Sequence, residues 1–307
     1  MERYPKTMSE FVEQFRTEEA CQAYLYDLRW PDGFACPRCG HGESWRMERG
    51  LCLCQRCRYQ SSVTAGTIFA GTRKPLPQWF QAIWHVTNQK HGVSALGLQR
   101  ALGLGSYHTA WTWLHKLRLA MVRPGRDRLS GRVQVDETFI GGVHAGDPGR
   151  GAAGKSLGLV AAEEVNADQI GRIRLLQIED ASMSTLHKAI TQSVEEQSLV
   201  CTDGWRGYNE LEAIGYSHEV VRSESEVGEQ LLPLAHRVAS LLKRWLLGTH
   251  QGAVRSSHLD YYLDEFTFRF NRRASRSRGK LFYRLVQQAV AIEGTPTGKI
   301  TPRRALG

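Results

Sequence analysis

Nowhere in the 307 residues does an apolar run approach the length of a membrane-spanning helix, and the start, MERYPKTMSE, lacks a signal-peptide pattern. The sequence therefore predicts a cytoplasmic protein with no membrane partner. Acidic residues are in deficit, 31 Asp and Glu against 40 Lys and Arg, which leaves a formal charge of +9. That balance favours a polyanionic partner, with nucleic acid ahead of an anionic membrane surface. Cysteine is sparse outside one stretch: five of the seven lie between residues 36 and 57, and Cys21 and Cys201 stand alone. In a reducing compartment such a cluster reads as a metal site rather than a disulfide framework. No internal repeat is present.

The chain is long enough for two or three domains. Residues 1–33 read as N-terminal helices, with Phe11, Phe15, Cys21, Tyr24, Leu25 and Leu28 at helical intervals and Ser9 as a candidate cap. Residues 34–70 hold the cysteine-rich module. Over residues 75–125 the spacing predicts a helix around PQWFQAIWHVTNQ, a second from Ser94 to Leu102 and a third from Ser106 to Met121, with the turn Gly103-Leu104-Gly105 before the last. That pattern fits a helix-turn-helix-like DNA-binding domain, with a helical linker that only packs as the alternative. Trp111 and Trp113 are expected in its core, with Lys116 and Arg118 reaching phosphates. Residues 131–295 form an α/β domain: three β-rich segments, a helix over Met183 to Val194, the segment SLVCTDGWRGY, and two amphipathic C-terminal helices. Glycine-rich Gly141 to Gly158 reads as an exposed hairpin loop.

Cys36-Pro37-Arg38-Cys39 and Cys54-Gln55-Arg56-Cys57 are two C-x-x-C turns separated by fourteen residues. Each turn lets two thiolates converge on one ion, and the pair completes a tetrahedral site with no open position, so a structural Zn²⁺ is expected. Cys52 receives no ligand role. Arg38, Arg46, Arg49, Arg56 and Arg58 surround the cysteines, as phosphate contacts or as a solvated basic surface.

In VQVDETF, strand alternation sends Asp136 and Glu137 to opposite faces. In LVCTDGWRGY an apolar strand ends at Asp203. Two aspartates at strand ends in a basic protein fit paired metal ligands for phosphodiester chemistry, although an aspartate after a strand also commonly caps a turn. His236, Ser240 and Lys243 stand at i, i+4 and i+7, on one face of a helix that begins near Pro233.

The stretches CPRCG, CQRCRYQ, VDETFIGG, TDGWRGY, HRVASLLKRWLLGTHQGAV and HLDYYLDEFTFRFNRR resemble, in family order, the bacterial insertion-sequence transposases that join an N-terminal zinc ribbon to a DDE-type, RNase H-like domain. The resemblance runs from about Cys36 to Val290. It implies that Asp136 and Asp203 are the first two metal ligands, that His236 stands where the family often has glutamate, and that Lys243, seven residues on, contacts DNA near the scissile phosphate. Glu229 and Glu226 are alternative third ligands. Mg²⁺ or Mn²⁺ is the implied catalytic ion.

The activity so implied is cleavage at transposon ends followed by strand transfer of the 3′-hydroxyl into target DNA. The partners are double-stranded DNA, both terminal inverted repeats and target, and further copies of the chain in a homodimer or higher oligomer. Arg269, Arg272, Arg273, Arg276, Arg278 and Lys280 form a single-sign block expected to bind DNA, with Phe266, Phe268 and Phe270 anchoring the helix before it. Two other functions stay open on sequence alone: a catalytically inactive, transposase-derived zinc-ribbon DNA-binding protein, and a structure-selective nuclease.

Overall fold

A computed structural model describes residues 3–47, 50–123, 125–141, 155–166, 168–221, 231–252, 254–294 and 300. The chain divides into two compact units, one made of residues 1–123 and 275–300, the other centred on residues 124–274.

The first unit begins with α1 (Met8–Gln14) and α2 (Glu18–Arg29), started by Thr7 and Thr17, whose hydroxyls accept from the amides of Glu10 and Ala20. Ser9 thus lies inside the first helix. The cap falls two residues earlier because the Thr7 hydroxyl reaches the third amide of the turn. A three-stranded antiparallel sheet follows, β1 (Ser44–Met47), β2 (Leu51–Cys54) and β3 (Gln60–Ser62). Three helices come next, α3 (Leu76–Asn88), α4 (Ala95–Leu102) and α5 (Tyr107–Ala120), with Ser94 and Ser106 as side-chain caps and Gly103 in the left-handed region between the last two.

Phe282 completes this unit's core. It lies on a last helix, Arg278–Ala291, and its ring meets those of Phe11, Phe15, Phe80 and Trp84. Burial of large aromatic surface contributes roughly 2–3 kcal/mol per ring, so this helix packs with the N-terminal helices, although it follows the α/β segment in sequence. The boundary read at residue 295 falls near residue 274 by packing.

Trp113 stacks on Trp79 at 3.9 Å, as a core residue should. Lys116 and Arg118, by contrast, are buried, and the Arg118 guanidinium lies 3.3 Å from His115 Nδ1. Past its first turn α5 is enclosed on nearly every side, so these cations are drawn inward rather than offered to phosphates. Tyr107 and His108, at the start of α5, are exposed.

The second unit is a five-stranded mixed sheet with helices on both faces, an RNase H-like arrangement. Its elements are β4 (Arg132–Ile140), β5 (Ser156–Asn166), β6 (Gln169–Ile178), α6 (Met183–Ser193), β7 (Leu199–Thr202), β8 (Ser217–Val220), α7 (Pro233–His250) and α8 (Leu259–Asn271). The strand order is β6-β5-β4-β7-β8; β4, β5 and β6 pair antiparallel, and β7 and β8 run parallel to β4. One face buries Val133, Val135, Leu159, Ala161 and Val200 against α6. The other buries Ile140, Val160, Ala162, Ile173 and Cys201 against α7 and α8. β8 is the strand that sequence pattern misses: SHEV is short, polar and at the sheet edge. Among the described residues no helix is long and apolar enough to cross a membrane. The hairpin loop expected over Gly141 to Gly158 lies largely outside the described residues.

Candidate functional site

The zinc ribbon brings Cys36, Cys39, Cys54 and Cys57 together, all four Sγ atoms lying within 4.8 Å of one another. The Cys36–Cys57 and Cys39–Cys54 sulfur separations are 3.6 and 3.7 Å. Four thiolates at the usual Zn–S bond length of about 2.3 Å in a tetrahedron stand about 3.8 Å apart, so the site fits a structural Zn²⁺.

The two knuckles are built alike. Gly40 donates its amide to the Cys36 carbonyl (2.9 Å) and Arg58 donates to that of Cys54 (3.1 Å). Both residues take a positive φ, +72° for Gly40 and 56° for Arg58. Cys52 is buried on β2, outside the sulfur group.

On the second unit, Asp136 sits mid-strand in β4 and Asp203 one residue past the end of β7. The parallel register pairs Arg132 with Leu199 and Gln134 with Cys201. Carried on by two residues, it sets Asp136 beside Asp203 on the face covered by α7. There Asp136 Oδ2 lies 3.2 Å from Nε2 of His236, with the carboxylate largely buried and the imidazole 42% exposed. Burial raises the Asp136 pKa and the adjacent Asp203 carboxylate adds to the effect, with His236 opposing both. Asp203 Oδ1 accepts from the Trp205 amide at 2.9 Å, so this aspartate does cap a turn, with its second oxygen making no such bond to that turn.

Gln134 sets the helix against the strand. Its buried side chain points to the same face as Asp136, and Oε1 accepts from the amides of Leu234 (2.9 Å) and Ala235 (3.4 Å). The first turn of α7 has no side-chain cap of its own, so the strand supplies the acceptor that its free amides require. That bond places His236 over Asp136. A polar residue two positions before Asp136, on the inward face of an apolar strand, was the available signal for it.

Lys243 is exposed two turns further along α7. Its pKa is lowered by partial burial first and by Lys155 second, with Asp136 opposing. Glu137 faces the α6 side, as strand alternation requires. Burial, with a smaller contribution from Asp136, pushes its pKa up to about 7. The neighbouring Tyr208 hydroxyl is buried and, among the described residues, forms no hydrogen bond of normal length, yet it lies close enough to Glu137 for each to perturb the other's ionisation.

Among the described residues the four cysteines are the one group of three or more such side chains placed to hold a metal ion; Asp136, Asp203 and His236 share a face but do not form such a group. Glu226 and Glu229 lie outside the described residues.

The basic block divides. Arg269 is an interior residue, its Nε 2.9 Å from Glu265 Oε1. Arg273 donates to the carbonyls of Gly171, Ile170 and Phe270, and Arg272 to that of Phe268. Phe266, Phe268 and Phe270 are buried. Arg278 opens the last helix, and a side chain at Gly279 would strike the Pro5 carbonyl oxygen, so this end of the block is a packed helix start. Arg276 and Lys280 are exposed.

Comparison with known proteins agrees with this arrangement. Residues 16–60 match the transposase zinc-ribbon domain and residues 128–271 the ISXO2-like transposase domain. An uncharacterized protein in transposable element ISH50 of Halobacterium salinarum is 27% identical over 289 residues, an alignment covering 88% of this chain and 95% of that protein. The two domain matches occur in the same order as the ribbon and the mixed sheet, and together take in more than half of the residues. The chain belongs to the insertion-sequence transposases in which a zinc ribbon precedes an ISXO2-like transposase domain.

Proposed function

We propose that the protein is a DDE-type DNA transposase that cleaves phosphodiesters at transposon ends and joins the freed 3′-hydroxyl to target DNA, with Asp136, Asp203 and His236 as its divalent-metal ligands. The observation that carries this reading is the register of β4 and β7, which sets the two aspartates side by side under the helix bearing His236.

The two aspartates supply two negative charges on one face, and His236 turns Nε2 toward the same place. Carboxylates suit Mg²⁺ or Mn²⁺, and the imidazole shifts the balance toward Mn²⁺. A bound divalent ion would supply positive charge that favours an attacking oxygen nucleophile and a leaving 3′-oxygen. Lys243, on the same helical face, holds a phosphate next to the scissile one.

In the first step a water oxygen attacks the phosphorus, and the 3′-oxygen leaves and takes up a proton. In the second, that 3′-hydroxyl loses its proton and attacks a target phosphodiester, whose own 3′-oxygen leaves. Neither step needs a covalent enzyme intermediate, so no serine or tyrosine nucleophile is required. Two transposon ends must be held together, so the acting species is a homodimer or larger. Arg276 and Lys280 are the members of the basic block best placed to meet duplex DNA.

The test is a strand-transfer assay on a duplex carrying the element's end and a plasmid target. Asp136→Asn and Asp203→Asn are each expected to lose at least a hundredfold in joined product while still binding the duplex. Joined product at the parental level from either variant overturns the reading; cleaved ends without joining would indicate a nuclease instead.

A further inference from the structure

The zinc ribbon carries a cation that its fold does not need. In the first knuckle the position after the second cysteine is Gly40, which takes its left-handed backbone without strain. In the second knuckle the same position, with the same amide-to-carbonyl bond, is Arg58. A side chain is disfavoured in that conformation, and glycine would serve the turn better, so the turn itself gives no reason for an arginine there. The guanidinium lies over the ring of Trp45, 4.6 Å from its centroid. Trp45 is itself 44% exposed on β1, with Tyr59 39% exposed beside Arg58 in sequence. Among the described residues no carboxylate pairs with Arg58.

We infer that Arg58, held extended on Trp45, is a phosphate clamp through which the zinc ribbon grips the backbone of duplex DNA. Stacking on the indole fixes one face of the guanidinium and, among the described residues, leaves its N–H edge without an internal acceptor, the geometry for a two-pronged bond to phosphate oxygens. The local charge agrees: Arg38, Arg56 and Arg58 bracket the cysteines, and the Glu43 carboxylate lies 3.9 Å from His41. A contact of this kind is sequence-independent and weakens with salt. The inference builds on the transposase reading only in taking DNA as the partner, and it concerns binding, not strand chemistry.

The experiment uses the full zinc-loaded chain and a fluorescein-labelled duplex of arbitrary sequence, with affinity followed by anisotropy across a salt series. Arg58→Gly is expected to weaken binding about five- to tenfold and to make the salt dependence shallower by about one phosphate contact, while its thermal midpoint is equal to or above that of the parent. Trp45→Leu should weaken binding with little change in the salt slope, since it removes the support and not the charge. Unchanged affinity and slope in Arg58→Gly overturn the clamp. Faster zinc release with an unchanged slope also overturns it, by showing that the arginine only balances thiolate charge. Strand transfer is scored separately: a chain that binds as expected but never joins DNA refutes the transposase reading and leaves the clamp standing.

Discussion

At the scale of single residues, His236 stands where the family resemblance implies a glutamate. An imidazole ligand in place of a glutamate carboxylate takes one negative charge from the proposed site, and nitrogen is a better donor to Mn²⁺ than to Mg²⁺. Strand transfer should therefore run faster with Mn²⁺, and His236→Glu should raise the Mg²⁺-supported rate relative to the Mn²⁺-supported one. The ratio of the two rates in parent and variant is the measurement. An unchanged ratio, together with full activity in His236→Ala, would leave His236 as a partner of Asp136 and nothing more. The same scale exposes where residue type misleads. Arg269 and Arg118 look like DNA-seeking cations in a basic protein, yet one is spent on Glu265 and the other lies buried beside His115.

At the scale of elements, the joint between β4 and α7 governs the site. Gln134 accepts two amides of an otherwise uncapped helix start from a position two residues before Asp136. Gln134→Leu leaves those amides buried without an acceptor, at a cost of about 1–3 kcal/mol. The urea midpoint should fall accordingly, and strand transfer should fall further than stability alone explains, because His236 loses its anchor. Equal midpoints for parent and variant would show that α7 is held by its apolar face alone. That face is extensive, with Leu234, Val238, Leu242 and Trp245 packed on the sheet, so the helix is expected to remain while its first turn frays.

At the scale of the whole molecule, the zinc ribbon is a small module whose core cannot stabilise it unaided, and metal binding is there a folding term. Chelation of Zn²⁺ from the full chain should open residues 34–70 to protease ahead of residues 128–271, and Cys39→Ser should do the same without chelator. Mass analysis of the first fragments checks this. First cuts within the mixed sheet would mean that the ribbon stands without its metal.

What the sequence determined by itself is local in origin. Cysteine spacing defined the four-thiolate site, helical periodicity and the serines at 94 and 106 marked α4 and α5, and strand alternation sent Asp136 and Glu137 to opposite faces. These follow from geometry repeating over two to four residues, which any stretch of chain carries within itself. The family resemblance supplied the pairing of Asp136 with Asp203, which no periodicity contains.

Tertiary structure alone decided the rest. It laid β7 against β4 in a register that sets the two aspartates together, made Gln134 the cap of α7, folded the last helix onto Phe11, Phe15 and Phe80, and drew Lys116, Arg118 and Arg269 inward. Each of these joins residues far apart in the chain. Their pairing depends on which surfaces bury the most apolar area once the intervening loops have closed, a sum over the whole fold that no local pattern encodes.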